Sequence, residues 1–140
     1  MLQALEKLKN HGFILIVVTN QPDIARKQVT RGEVDLINEH LSKSLPIDEF
    51  YICEHDDKDS CNCRKPKPGL ILEAALKNSI ALDSSYMVGD RWRDIHAGQA
   101  AGLNCFFIDY KYSEKKPDQP FKRVLSLLEA SLIIIGESNE

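Results

Sequence analysis

Cysteine and histidine side chains are concentrated in one short stretch of the chain. Cys53 and His55 are separated by one residue, as are Cys61 and Cys63, and the polar segment 56–60 lies between the two pairs. Such paired side chains at a strand end project to one face, and the polar segment can return the second pair to the same point. Three thiolates and one imidazole make a closed tetrahedral set for a structural Zn²⁺, which leaves no ligand position for a substrate. A disulfide or a redox-active cluster is the alternative.

Hydroxyl and amide groups close the first apolar run of the chain. Thr19, Asn20 and Gln21 stand at its carboxyl end. One hydroxyl and two amides, together with backbone N–H groups of the following turn, can hold phosphate oxygens. The alternative is that Thr19 and Asn20 end a strand through local bonds from side chain to backbone.

Two carboxylates and a basic turn supply the remaining candidates. Asp90 and Asp94 follow another apolar run and lie one helical turn apart, so they face the same way. Mg²⁺ is commonly held by one or two carboxylates with phosphate and water, although the same pair can instead cap a helix. In Arg64-Lys65-Pro66, the proline limits the backbone and fixes where Lys65 points. That lysine is suited to neutralise a phosphate and a carboxylate, and a solvated charge cluster is the alternative.

Short apolar runs alternate with helical patterns along the chain, which predicts βα units around a parallel sheet. The runs are nearly continuous, as is typical of strands covered on both faces. The predicted strands are 13–19, 49–53, 86–90 and 104–109. The pattern favours an α/β fold with a Rossmann-like, doubly wound sheet. Ligands of such sheets bind beyond the carboxyl ends of the strands, where the candidate residues stand.

Helical spacing and capping residues predict the elements between the strands. An amphipathic helix covers 1–11 and is closed by Gly12, and Thr30 with Glu33 forms a capping box for the next helix. The apolar residues predicted for that second helix face are Val34, Ile37, Leu41 and Leu45. Further helices are predicted over 68–77, from Asp90 to near Gly102, and around Phe121, Val124, Leu125 and Leu128, with a polar surface loop over 111–120. Cys105 is expected in the core, and His11, His40 and His96 at the surface or at helix ends.

Length and composition set the broad class. The chain has 140 residues, 43% apolar and 28% charged, which predicts one domain over residues 1–140. Its 18 basic and 21 acidic residues give a net charge of −3, which argues against a nucleic-acid or anionic-membrane surface. No apolar run reaches the roughly 18 residues of a membrane span. The first residues do not resemble a targeting signal, so we expect a cytoplasmic protein.

The candidate groups occur in one order, which is Thr19-Asn20-Gln21, the Cys/His cluster, Arg64-Lys65-Pro66 and Gly89-Asp90-x-x-x-Asp94. In that order they resemble the haloacid dehalogenase superfamily. Within it the chain is similar to the zinc-containing D-glycero-D-manno-heptose 1,7-bisphosphate 7-phosphatases and to the histidinol-phosphate phosphatases. The resemblance covers roughly Leu2 to Ile108, and residues 17–26 look like the substrate loop of the heptose enzymes.

The resemblance implies a role for each matching position. Thr19 and Asn20 would bind the transferring phosphoryl group, and Lys65 would balance its negative charge. Asp90 would ligate a catalytic Mg²⁺, with Asp94 supporting it. An aspartate of the family attacks phosphorus to give an aspartyl-phosphate, and a second aspartate two residues on protonates the leaving oxygen.

The remaining implied roles concern substrate and the zinc loop. Arg64 and Gln21 would contact a small phosphorylated sugar, and Zn²⁺ would order the loop that presents Arg64 and Lys65. Heptose bisphosphate is the favoured substrate, and histidinol phosphate is the alternative.

The family's nucleophile motif, Asp-x-Asp at the end of an apolar strand, has no counterpart in the sequence. The spelling occurs at Asp57-Lys58-Asp59, but inside the zinc loop and with no apolar strand before it. The family pattern places the motif before Met1, on a central strand between the strands ending at Thr19 and at Asp90. Three explanations are open: the chain is a fragment of a phosphatase, an inactive relative that binds ligands, or a chain completed by a strand from another copy or partner. A zinc-stabilised interaction module is an alternative of another class.

Overall fold

Helices and strands alternate from the first helix to the fourth strand, as the sequence predicts, and two strands then follow each other. The computed structural model describes residues 1–20, 24, 26–55 and 61–138. In chain order the elements are α1 (Leu2–Asn10), β1 (Ile16–Asn20), α2 (Arg31–Ser44), β2 (Glu49–Cys53), α3 (Gly69–Asn78), a 3₁₀ helix (Leu82–Ser84), β3 (Tyr86–Gly89), α4 (Trp92–Ala100), β4 (Asn104–Ile108), β5 (Lys122–Val124) and α5 (Leu127–Ser138). Among these residues, no helix is long and apolar enough to span a membrane.

The sheet consists of two parallel pieces. β1 pairs with β2, from Ile16 opposite Glu49 to Asn20 opposite Cys53. β3 pairs with β4, and β4 pairs with β5, both in parallel. No strand hydrogen bonds join the two pieces within the described part of the chain. One edge of β1 and one edge of β3 are therefore left without a strand neighbour there.

Helices cover both faces of the larger piece, because alternate residues of its strands point to opposite sides. On one face Phe106 and Ile108 pack with Leu8 of α1 and Ile134 of α5. On the other face Cys105 and Phe107 pack with residues of α3 and α4. This arrangement is the doubly wound fold that the sequence predicts, and Cys105 is a core residue as expected.

An apolar groove separates the two pieces of the sheet. Its volume is about 730 Å³, and its walls include β1 residues from Ile16 and β3 residues from Tyr86. Every residue of β1 is half-exposed, although the strand begins with three aliphatic residues. Lys65, Asp90 and Asp94 lie at the end of the groove where both strands terminate. The groove therefore joins an apolar channel to a charged end.

The predicted capping box of α2 is present, but its buried face differs from the prediction. Thr30 Oγ1 accepts a hydrogen bond from Glu33 N at 3.1 Å. The predicted apolar stripe is wrong at Ile37, which is 61% exposed. The inward-facing positions are Val34, Asn38, Leu41 and Leu45, each about one helical turn after the last, and Ile37 lies beside this stripe.

The predicted helix around Phe121 is wrong. Residues Lys122–Val124 form β5, in which Val124 is 2% exposed and the two residues before it are exposed. Leu125 is 83% exposed, and the helix runs over Leu127–Ser138 instead. Pairing with β4 overrides the local helical spacing here, because it buries Val124 in the core.

The segment 111–120 is a loop, as predicted, and it is fastened to α4. Gln99 Nε2 donates to the carbonyls of Asp118 and Pro120, at 2.6 and 3.0 Å. His96 Nε2 accepts from the backbone N–H of Asp118 at 3.0 Å, and its ring packs against Trp92. The expectation of a surface or helix-end role is therefore wrong for His96, which lies half-buried within α4. His11 and His40 are exposed, as expected.

Candidate active site and metal cluster

The four cysteine and histidine ligand candidates converge on one point. One ligand atom from each of Cys53, His55, Cys61 and Cys63 lies within 4.8 Å of the other three. The Cys53 and Cys61 sulfurs are 3.5 Å apart, and His55 Nδ1 is 3.3 Å from Cys63 Sγ. Tetrahedral bonds of about 2.0–2.3 Å place their ligand atoms about 3.3–3.8 Å apart. The Cys53 and Cys63 sulfurs lie closer, at 2.7 Å, so a tetrahedral cation requires these two to move apart by about 1 Å. The cluster therefore gathers the four donor atoms that one cation needs around a single point.

The chemistry of the donor set also favours a cation. Burial, together with the neighbouring Cys53 and Cys61, raises the pKa of the Cys63 thiol to about 12. Three thiolates this close repel one another, whereas a bound divalent cation removes that repulsion and deprotonates its thiol ligands. A bound cation would therefore stabilise this arrangement of three sulfurs, which a cluster of solvated surface groups would not need.

The cluster is built into the start of α3. A side chain at Gly69 would place its Cβ 2.1 Å from the carbonyl oxygen of Asn62, so the close approach requires glycine. Lys67 Nζ donates to the Cys61 carbonyl at 2.6 Å. Arg64 Nη1 lies 3.5 Å from the carbonyl of His55, which ties the basic turn to the first ligand pair. The cluster thus fixes the turn that carries Arg64 and Lys65.

Lys65 connects the two pieces of the sheet. Its ammonium donates to the Val18 carbonyl of β1 at 3.2 Å and to Asp94 Oδ1 of α4 at 2.5 Å. Its backbone N–H donates to Asn20 Oδ1 at 3.1 Å, which leaves the amide NH₂ as the donor group of the Asn20 side chain. The Lys65 and Asp94 side chains are 13% and 12% exposed. The lysine is therefore a nearly buried cation at the charged end of the groove.

Asp94 positions Lys65 and the first turn of α4. Its Oδ2 accepts from the backbone N–H of Arg91 at 3.3 Å, while its Oδ1 accepts from Lys65. Gly89 allows this, because a Cβ at that position would lie 2.4 Å from Asp94 Cβ and 2.7 Å from its Oδ2. The two carboxylates that follow β3 thus differ in environment: Asp94 is paired with Lys65, whereas Asp90 has a different partner.

Asp90 accepts a hydrogen bond from a residue that the sequence analysis missed. The Tyr112 hydroxyl donates to Asp90 Oδ2 at 2.9 Å. A tyrosine hydroxyl is a donor at neutral pH, and this bond raises the pKa of Tyr112 further above its usual value. Tyr112 lies in a loop without periodicity, so spacing gives no indication of its role. Its place just beyond β4, at the carboxyl edge of the sheet, is the feature that could have identified it.

The structure therefore brings most predicted site residues to one end of the groove. Thr19, Lys65, Asp90 and Asp94 line it, and Asn20 is bonded to Lys65. Arg64 lies beside this end and contacts the metal cluster. Two predictions fall on residues outside the described part of the chain: Gln21, with residues 22, 23 and 25 of the predicted substrate loop 17–26, and the Asp57-Lys58-Asp59 segment.

Comparison with known proteins agrees with this geometry. A family model described as HAD-hydrolase-like matches residues 62–127. The D,D-heptose 1,7-bisphosphate phosphatase structure from B. bronchiseptica, complexed with magnesium and phosphate, superposes with a TM-score of 0.88 at 23% identity, covering 97% of this chain and 82% of that one. The chain thus has the fold of the haloacid dehalogenase superfamily.

Curated relatives narrow the family. The D-glycero-β-D-manno-heptose-1,7-bisphosphate 7-phosphatase of Helicobacter pylori is 36% identical over 90% of this chain and 79% of its own length. The D-glycero-α-D-manno-heptose-1,7-bisphosphate 7-phosphatase of Photorhabdus laumondii is 34% identical over 83% of this chain and 70% of its own length. The Escherichia coli K12 enzyme is 37% identical, but the match spans 74% of this chain and 60% of that relative. The chain belongs to the D-glycero-D-manno-heptose-1,7-bisphosphate 7-phosphatase family.

Proposed function

We propose that this chain provides the phosphate, magnesium and substrate contacts of a phosphatase that removes the 7-phosphate of D-glycero-D-manno-heptose 1,7-bisphosphate. The observation that carries the proposal is the meeting of Lys65, Asn20 and Asp90 where β1 and β3 end. These elements are distant in sequence, and a phosphoryl group needs a cation, amide donors and a metal carboxylate in one place. In this proposal residues 1–140 form a single phosphatase domain.

The residues at this end divide the work by charge. Lys65 offsets negative charge on the phosphoryl oxygens, while Asn20 and Thr19 donate hydrogen bonds to them. Asp90 is the residue to hold Mg²⁺, which stabilises the charge of the transferring group when bound. Asp94 supports that site by holding Lys65 in place, as its 2.5 Å contact indicates. Arg64 and Gln21 contact the sugar side of the substrate.

The attacking carboxylate belongs to a strand that occupies the groove. β1 and β3 each present an edge to the groove, and both run in parallel sheets that terminate at the charged end. A strand parallel to both would satisfy the two edges and bury the half-exposed residues of β1. An aspartate at its carboxyl end would then face Lys65. In this proposal such a strand, from the same polypeptide or from another copy or partner, completes the phosphatase.

Zn²⁺ has a structural part in this proposal. The Cys/His set supplies four ligand atoms, and so the cation has no open position for chemistry. Its effect is to fix the turn that presents Arg64 and Lys65 to the substrate. The same turn explains why the cluster lies next to the charged end of the groove.

The test is phosphate release from the bisphosphate by residues 1–140 joined to an N-terminal strand that ends in Asp-x-Asp. We expect Mg²⁺-dependent release from C7 by the joined protein, and its loss in the Lys65→Met and Asp90→Asn variants. Histidinol phosphate serves as the competing substrate, and we expect the heptose substrate to have the higher kcat/KM. Equal release by the Asp90→Asn variant would contradict the proposal. So would binding of a protein partner that depends on Cys61 and is indifferent to Asp90, since that result fits an interaction module.

A further inference from the structure

The loop between β4 and β5 reaches over the carboxylate at the end of β3. We infer that Tyr112 is a positioning residue, whose hydroxyl holds Asp90 Oδ2 and leaves Oδ1 to face Mg²⁺. This inference rests on the proposed function, because it assigns Asp90 to the metal. The observation behind it is the 2.9 Å hydrogen bond from the Tyr112 hydroxyl to Asp90. A donor that fixes one oxygen of a metal carboxylate orients the other and typically changes metal affinity 10–100-fold.

The beginning of the loop is fastened by Asp109. The Asp109 carboxylate is 4% exposed and accepts from the backbone N–H of Lys111 at 2.9 Å. Three cations complete its shell, with Lys116 Nζ at 3.1 Å, Arg123 Nε at 3.2 Å and Lys111 Nζ at 3.4 Å. These partners come from the beginning of the loop, its middle and β5. These contacts fix the direction of the backbone after β4, and Tyr112 follows Asp109 by three residues.

The Tyr112 ring is held from its face. The Arg91 guanidinium lies over the ring at 4.0 Å from its centre. Arg91 is in turn fixed by Glu114, at 2.9 Å between Nη1 and Oε2. Arg91 directly follows Asp90, so one short stretch supplies both the carboxylate and the cation that holds its hydrogen-bond donor. A guanidinium over an aromatic ring is attracted to the ring face, which favours one ring position.

The end of the loop is fastened to α4 through Gln99 and His96, as described above. Pro117, directly before the attached Asp118, is buried. Both ends of the loop and the ring itself are therefore fixed, which reduces the entropy lost when the hydroxyl holds Asp90. The loop thereby behaves as a rigid support for the carboxylate.

The experiment measures Mg²⁺ affinity directly, without turnover. Mg²⁺ is titrated into the ¹⁵N-labelled chain, and the amide resonances of Gly89 and Asp90 report its dissociation constant. We expect Tyr112→Phe to weaken binding about tenfold, because the ring and its stacking are kept while the hydroxyl is lost. Tyr110→Phe is the matched control, since its ring is 5.9 Å from that of Tyr112 and its place in the loop is adjacent. That control should leave the affinity unchanged.

Two further variants separate the outcomes. Glu114→Gln frees Arg91, and we expect a smaller, two- to threefold loss of Mg²⁺ affinity by the same reasoning. Asp90→Asn should abolish binding, and unchanged binding in that variant would overturn the proposed function together with this inference. If Asp90→Asn loses Mg²⁺ while Tyr112→Phe binds it as tightly as the parent chain, this inference alone is overturned. Resonance shifts throughout α4 and β4 in Tyr112→Phe would show a role in the fold and also overturn it.

In the strand-completed enzyme the same hydroxyl has a kinetic signature. We expect Tyr112→Phe to raise the Mg²⁺ concentration for half-maximal activity about tenfold, with the KM for the sugar phosphate unchanged. A residue that only supports the fold would change both constants or neither. A rise in KM at saturating Mg²⁺ would place Tyr112 on the substrate and contradict the assignment.

Discussion

Replacing Asp94 by asparagine tests how the charged end of the groove is held together. The change keeps the size of the side chain and removes its charge, so the Lys65 ammonium loses its 2.5 Å carboxylate partner and keeps the Val18 carbonyl at 3.2 Å. Removing one partner of a buried pair costs about 3–5 kcal/mol. An exposed pair is worth about 0–1 kcal/mol.

The exposures of the two side chains set the expected magnitude. Lys65 is 13% and Asp94 12% exposed, which places the pair close to the buried limit. The new amide oxygen still accepts a hydrogen bond, which returns part of the loss. We therefore expect Asp94→Asn to lower the free energy of unfolding by about 2–3 kcal/mol. For a chain of this length that corresponds to a fall in Tm of about 6–9 °C.

Urea denaturation followed by circular dichroism measures this change. Asp35→Asn is the matched control, because Asp35 pairs with Arg31 at 2.9 Å while both side chains are at least half exposed. The control should change the unfolding free energy by less than about 0.5 kcal/mol. A double-mutant cycle with Lys65→Met should give a coupling energy of about 1.5–3 kcal/mol between the two sites. Equal effects of the two aspartate variants, or additive effects in the cycle, would refute the reasoning.

Three other predictions concern the metal cluster, the packing of α4 and the loop. The purified chain should bind one Zn²⁺, measured by elemental analysis, and Cys61→Ser should lower the affinity and the Tm; unchanged zinc content would contradict the ligand assignment. Gly98→Ala should cost about 1–3 kcal/mol in urea, since its Cβ would lie 2.7 Å from Met87 Cβ and 2.8 Å from Cys105 Sγ. Hydrogen bonding by the Lys111 backbone and by nearby lysines lowers the pKa of Asp109 to about 2. Because the folded pKa is below its ordinary value of 3.8, the stabilisation is present above pH 3.8 and is lost as pH falls towards 2. Asp109→Asn should therefore destabilise the chain at pH 6, and the difference in Tm should shrink at pH 3; a difference that grows on acidification would contradict this.

Local patterns in the sequence predict the scaffold well and the supporting contacts poorly. The capping box at Thr30 and the strand at Glu49–Cys53 follow from short-range rules, and both are present. The helix expected around Val124 is a strand, because pairing with β4 decides its conformation. Helical spacing cannot contain that information, since the partner strand is remote in sequence.

In the site, too, local patterns predict some contacts and miss those that depend on the folded chain. The convergence of the Cys/His ligands follows from their spacing, and the structure confirms that they lie together. The sequence predicts that Lys65 lies near a carboxylate, but it does not identify Asp94 as that partner. The hydrogen bond from Lys65 to the Val18 carbonyl depends on how the sheet folds, which the local sequence does not contain. Tyr112 lies in an aperiodic loop, and its position over Asp90 depends on attachments to β5 and α4.

The most direct test of the central proposal compares phosphate release by residues 1–140 before and after a strand fills the groove. Inorganic phosphate released from D-glycero-D-manno-heptose 1,7-bisphosphate in Mg²⁺ is measured for the chain alone and for the chain joined to an N-terminal strand ending in Asp-x-Asp. A matched fusion carries Asn in place of the first aspartate. We predict C7-specific release by the joined protein and background release by the other two. Clear turnover by residues 1–140 alone, or by the asparagine fusion, would contradict the claim that the nucleophile lies on a strand in this groove.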